Sequence, residues 1–229
     1  MDITLSSQNL LIQKSQAIFD RLLDRFGKTE WRIPLDAMDE LISTVLSQNT
    51  NDRNRDIAFF ALKNRFPTWD KVRDADLQTV IDLIRPAGLA NQKGARIQAL
   101  LREITSERGN LDLSFLKTYR AEEAQSWLTK FKGVGLKTSA IVMQFALGIP
   151  AFPVDTHVYR VSGRLGLRSE KMNADQSHLH LAKLFTPDSY RTAHLNLIRL
   201  GREICHARKP DCNNCPLTDL CDYYSAKSK

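Results

Sequence analysis

An all-α fold follows from three features of the 229-residue sequence. Apolar residues recur at i, i+3, i+4 and i+7, glycine or proline closes most of these runs, and no period-two run of β-branched residues competes with them. There is no internal repeat and no low-complexity segment. A chain of this length can bury a substantial core, either as one large domain or as two small ones sharing a cleft.

Met1 to Ser7 read as a loose polar start. Phe19, Leu22, Leu23 and Phe26 then mark a first helix that stops at Gly27, and Trp31 to Pro34 form a connector. Asp36 is placed to cap a helix with Asp39 in its first turn and Met38, Leu41, Ile42 and Val45 as its buried stripe. That helix runs into the polar cluster Ser47-Gln48-Asn49-Thr50-Asn51-Asp52, a loop by composition. After Asp52 the spacing predicts a helix with Ile57, Phe60 and Ala61 inward, ending before Pro67. Leu77, Val80, Ile81 and Ile84 give another, stopped by Pro86 and Gly88. Ile97, Leu100, Leu101 and Ile104 give one more, stopped around Gly109.

Ala124, Trp127, Leu128 and Phe131 make one apolar face of a short helix that ends at Gly133. Gly133-Val134-Gly135 lets the backbone turn tightly and presents its N–H groups outward. A second helix begins near Leu136, and from Ala140 to Leu147 it is apolar on almost every side except at Gln144, which predicts burial inside a bundle. Two helices joined this way form a helix-hairpin-helix, suited to gripping a nucleic-acid backbone without reading its bases. Lys137 falls in the first turn of the second helix, where the macrodipole and partial burial both favour its neutral, nucleophilic form. Such an amine can form a Schiff base. Taken alone, Lys137 reads better as a phosphate-binding lysine on a basic protein, and it is the combination with Asp155 that changes this. Asp155 opens a further helix with Val158, Val161, Ser162 and Leu165 as its stripe, and taken alone it is an N-cap.

Two more helices follow, one carrying His178, Leu181, Ala182 and Phe185 and the other His194, Leu197, Ile198 and Gly201. His157, His178 and His194 sit beside apolar residues and read as packing or hydrogen-bonding groups. The cysteines Cys205, Cys212, Cys215 and Cys221 follow, spaced C-x6-C-x2-C-x5-C. Their clustering argues for a metal site, with tetrahedral zinc and an iron–sulfur cluster both open at this point. His206, Arg208 and Lys209 form a basic loop pinned between the first two cysteines and placed to meet phosphates. Lys and Arg outnumber Asp and Glu by 33 to 26, a net charge of +7 that favours a polyanionic partner. No signal-peptide pattern opens the chain and no apolar run is long enough for a bilayer, so a cytoplasmic or nucleoid-associated protein is expected.

G-V-G-x-K-T followed by P-x-x-x-V-D-T-H resembles the endonuclease III family of DNA repair glycosylases. The residues that carry the likeness are Gly133, Val134, Gly135, Lys137, Thr138, Gly148, Pro150, Val154, Asp155, Thr156 and His157, and the cysteine spacing matches the family's iron–sulfur loop. The departure is Lys132, where the family usually has proline, at a position that shapes the turn and does no chemistry. The resemblance implies two helical lobes around a DNA-binding cleft. One is a six-helix barrel over residues 30–150 containing the hairpin. The other joins residues 1–29 to 151–229 and holds a 4Fe-4S cluster on the four cysteines, with a structural and positional role. Lys137 and Asp155 would face each other across the cleft. The partner implied is double-stranded DNA containing damaged bases or abasic sites, bound by a monomer.

The implied activity is that of a bifunctional glycosylase and apurinic/apyrimidinic lyase acting on damaged, oxidised pyrimidines. Such an enzyme rotates the nucleotide out of the stack and fills the gap. Asn49 or its neighbour Gln48 aligns with the gap-filling glutamine, and Leu89 with an apolar wedge; a staple beneath its own helix is the alternative for Leu89. Mismatch glycosylases that resemble this chain usually lack the lysine, and oxoguanine enzymes typically lack the cysteine loop. FPVDT also resembles plant 5-methylcytosine glycosylases. A non-catalytic DNA binder using the same hairpin is the alternative from another class.

Overall fold

The computed structural model describes residues 2–28 and 34–227. Its α-helices are α1 (Asp2–Phe26), α2 (Ala37–Ser47), α3 (Asp52–Arg65), α4 (Trp69–Asp74), α5 (Leu77–Ile84), α6 (Ala90–Arg108), α7 (Ala121–Thr129), α8 (Leu136–Val142), α9 (Thr156–Arg164), α10 (Ala174–Ala182), α11 (Tyr190–Glu203) and α12 (Asp222–Lys227). No strand occurs among the described residues, and none of their helices is long and apolar enough to cross a membrane. The chain divides into two compact units, one of Pro34–Ile149 and the other of Met1–Ile33 with Pro150–Lys229.

Helix α2 is the centre of the Pro34–Ile149 unit. Every residue from Ala37 to Leu46 is buried, which encloses the helix on all its faces, and α3, α6 and α8 pack around it. Asp36 caps its start by accepting from the Asp39 N–H at 2.9 Å. Because even its polar residues are enclosed, they need partners. Asp39 accepts from Trp69 Nε1 at 2.7 Å and from Lys63 Nζ at 2.9 Å, while Thr44 donates to Glu40.

The inward face of α3 is Arg55, Ala58, Phe59 and Leu62. Ile57 and Phe60, expected inside, are 47% and 57% exposed. A block of adjacent apolar residues leaves the phase of the helix ambiguous, and two tertiary contacts fix it. Phe59 packs on Trp69 of α4, a short helix not foreseen, with ring centroids 6.1 Å apart. Arg55 is neutralised by Asp52 and Asp56 at 3.0 and 2.8 Å. The apolar segment after Leu136 also differs from a plain helix. It widens into a π-turn at Met143–Leu147, which Gly148 closes at φ +69°.

The other unit packs α11 against α9 and α1. Ile18 and Leu22 of α1 join Val158, Val161, Leu165, Leu181, Leu197 and Leu200 in one core. The polar start expected at the N-terminus is helical from Asp2. The expected connector lies outside the described residues over 31–33.

Candidate nucleic-acid interface and cysteine pocket

The hairpin is built from one left-handed glycine and one buried anchor. Gly133 has φ +91°, and Val134 is 3% exposed with its N–H bonded to Phe131 O at 3.0 Å, so its side chain anchors the turn from within. Helix α7 stops at Thr129, a turn earlier than expected. Gly135 is exposed and opens α8, and the next N–H groups of the first turn have no acceptor within the helix. Lys137 stands in that turn, half-buried.

Helix α6 ties this hairpin to two other loops of the same unit. Arg96 donates from Nη1 to Gln48 Oε1 at 3.0 Å, and Gln48 donates from Nε2 to Gly133 O at 3.0 Å. Gln48 is therefore braced, whereas its neighbour Asn49 is exposed at the loop tip with φ +56°. Leu89 is also left-handed at φ +51° and is 51% exposed, so it does not lie beneath its own helix. A non-glycine residue in this region costs of order 1–3 kcal/mol and persists only where its surroundings impose it.

One of those surroundings is Lys93. It is 2% exposed, and Nζ donates to Leu46 O at 2.7 Å and to Ala87 O at 2.8 Å. Burial, with a smaller contribution from nearby Arg96, lowers its pKa to about 8. Neither Lys93 nor Arg96 was visible as a site residue in the sequence. A signal existed for the first: Lys93 lies on the buried stripe of α6 with Ile97, Leu100 and Leu101, where a cation is out of place.

Adding a Cβ at Gly133 would put it 2.2 Å from Arg96 Cδ, on a φ that L-residues avoid. Gly133→Ala is expected to displace Arg96 and to cost about 1–3 kcal/mol, measured as a fall in the urea midpoint at unchanged slope. Duplex affinity should fall with it.

In the other unit, Asp155 caps α9 by accepting from the Val158 N–H at 2.7 Å. The backbone just before it is held by two buried histidines. His178 Nδ1 donates to Phe152 O at 3.1 Å and His194 Nδ1 to Pro153 O at 2.9 Å. Arg160, one turn into α9, donates to Gly201 O at 2.9 Å and Cys205 O at 3.2 Å and contacts His157 Nδ1. Burial lowers the pKa of His157, Asp155 opposes that shift, and Arg160 and Arg202 add to it.

Cys205, Cys212, Cys215 and Cys221 are free, half-buried thiols lining one pocket with Val161, Leu165, Leu200 and Ile204. No three His, Cys, Asp or Glu side chains among the described residues converge as a single-ion site. Four soft donors lining one apolar pocket fit an iron–sulfur cluster. Burial raises the pKa of Cys215 and Cys221, so iron binding would have to displace their protons. Arg164, also missed in the sequence, donates to Cys205 Sγ at 3.2 Å, to His206 O at 2.7 Å and to Ala207 O at 2.9 Å. It thereby fixes the start of the loop on which Arg208 and Lys209 are exposed.

Residues 42–187 match the HhH-GPD superfamily of base excision DNA repair proteins, and residues 205–221 match the iron–sulfur binding domain of endonuclease III. The endonuclease III of Sulfolobus acidocaldarius is 35% identical over 187 residues, covering 80% of this chain and 81% of that one. That of Thermotoga maritima is 33% identical over 189 residues, covering 82% and 84%. The solved structure of a trapped endonuclease III–DNA covalent intermediate superimposes with a TM-score of 0.83 at 27% identity, over 95% of this chain and 99% of the other.

Proposed function

The chain belongs to the HhH-GPD superfamily of base excision DNA repair proteins and, within it, to the endonuclease III family, and from this we propose a bifunctional DNA glycosylase and apurinic/apyrimidinic lyase. It acts as a monomer, in the cytoplasm or nucleoid, on double-stranded DNA that contains damaged bases, oxidised pyrimidines above all, or abasic sites. The observation that carries the reading is the position of Lys137, half-buried in the first helical turn behind the Gly133–Gly135 hairpin. A lysine there can follow the sugar of a nucleotide whose phosphate is held by the turn.

In this reading the unprotonated Lys137 amine attacks C1′, the C1′–N glycosidic bond breaks, and the base leaves with the bonding pair. The Asp155 carboxylate accepts the proton that the amine loses and stabilises positive charge developing on the sugar. The C1′–O4′ bond then opens, O4′ taking the proton held by Asp155, and the adduct becomes a Schiff base that makes the 2′ proton acidic. Its removal expels the 3′ phosphate by β-elimination and nicks the strand. Gly133, Gly135, Arg208 and Lys209 hold phosphates, while Asn49 and Leu89 enter the stack, with Gln48 bracing the first of these loops.

Cys205, Cys212, Cys215 and Cys221 would hold the 4Fe-4S cluster, which would serve as a structural staple, since neither step transfers electrons. Arg164 and Arg160 connect its first ligand to the basic loop and to helix α9.

The test is a set of duplexes, each with a single modified base or an abasic site, scored separately for base release and for nicking. Release of oxidised pyrimidines together with nicking of the abasic duplex is expected. A shifted but intact abasic duplex would instead establish a binding protein.

A further inference from the structure

We propose that Lys93 is a positioning residue for base extrusion: its buried side chain ties the end of α2 to the turn before α6 and so sets the spacing of the Asn49 and Leu89 loops. The inference rests on the glycosylase reading above. The two carbonyls it joins, Leu46 O and Ala87 O, lie three residues before Asn49 and two before Leu89. The backbone N–H of Lys93 also bonds Leu89 O at 2.9 Å, so this residue holds the Leu89 turn at both ends.

Leu46 lies in the last turn of α2 and Ala87 ends a short 3₁₀ turn, where carbonyls lack helical partners and attract a cation. Packing alone does not account for a lysine here. A methionine would fill the same space without the desolvation cost of a buried charge, and such replacements are often neutral or stabilising. What methionine cannot do is join two carbonyls that belong to different elements. Both loops reached by this tie end in exposed, left-handed residues, one polar and one apolar. Their separation decides whether both can occupy one opened base step.

The experiment compares the cluster-loaded parent chain with Lys93→Met on two substrates. One is a duplex with a single paired oxidised pyrimidine; the other is a single-stranded oligonucleotide with an abasic site, which needs no extrusion. Losing two charge-assisted hydrogen bonds between the loops is expected to slow base release from the duplex on the order of 10- to 100-fold. Nicking of the single strand should change by less than about threefold, because the Lys137 chemistry is untouched. Equal losses on both substrates, or no loss on the duplex, would overturn the proposal.

A second measurement does not depend on catalysis. In a duplex with 2-aminopurine beside the lesion, binding of the parent chain should raise the fluorescence through unstacking, and Lys93→Met should bind without that rise. A parent chain that unstacks the base but releases none sinks the glycosylase reading and leaves the Lys93 comparison intact. A variant that unstacks like the parent sinks the Lys93 assignment alone. If Lys93→Met melts early, Lys93→Gln, which keeps a donor for one carbonyl, should show an intermediate loss on the duplex only.

Discussion

Lys137→Gln is expected to give no covalent adduct when borohydride is added to its mixture with an abasic duplex, while binding that duplex within about threefold of the parent chain. Borohydride reduces only an iminium, and glutamine offers no amine to form one. The substitution keeps a polar side chain only one atom shorter at a half-buried site in the first turn of α8, so the hairpin that holds the phosphate should stand. Turnover on a damaged duplex should fall by at least about 10⁴-fold, the scale on which removal of a nucleophile is felt. A trapped adduct that survives the change would move the nucleophile elsewhere, with the other lysines of the unit as the next candidates.

Asp155→Asn separates two jobs held by one carboxylate. As an N-cap, Asp155 accepts from the Val158 N–H, and asparagine caps about as well, so the thermal midpoint should shift little. As a base and a counter-charge, asparagine has nothing to offer. Base release should therefore fall by about 10²- to 10⁴-fold, the range ascribed to one acid–base group. Asp155→Ala should lose the same activity and in addition about 1 kcal/mol of stability from the missing cap. If Asp155→Asn keeps the parent rate while Asp155→Ala loses it, the residue is a cap only, and the mechanism needs another proton acceptor.

Much of the helical plan was legible because it depends on neighbours in the chain. The stripe Met38, Leu41, Ile42 and Val45 is buried as its spacing requires, Asp36 caps it, and Gly133 takes the positive φ that a G-V-G turn calls for. Helix α3 was misphased because its apolar residues form a block, and a block has no unique face. Only the Trp69 ring and the Asp52–Arg55–Asp56 cluster select Phe59 over Phe60. Asp155 was legible as a cap, because the Val158 N–H it accepts from lies three residues on, and its catalytic role belongs to the mechanism proposed above.

Lys93, Arg96, Arg160 and Arg164 were not legible as site residues, and their partners explain why. All but Arg96 reach backbone carbonyls, which every residue carries and which leave no mark in a sequence. Lys93 finds one of its two acceptors 47 residues away, and Arg164 reaches carbonyls 42 and 43 residues away. Arg96 finds the amide of Gln48, a residue whose polar surroundings read as an ordinary loop.

The sequence by itself determined where most of the helices lie, where the chain turns on a glycine, and which four sulfurs are available to iron. Those properties follow from dihedral preference, periodicity and ligand chemistry, all of which act over a few residues. The tertiary structure alone decided which phase of α3 faces inward and that a lysine is enclosed between two loops. It also decided which arginines hold the loop beside the cysteines. Burial and long hydrogen bonds depend on what packs opposite, and that is set only when distant segments meet.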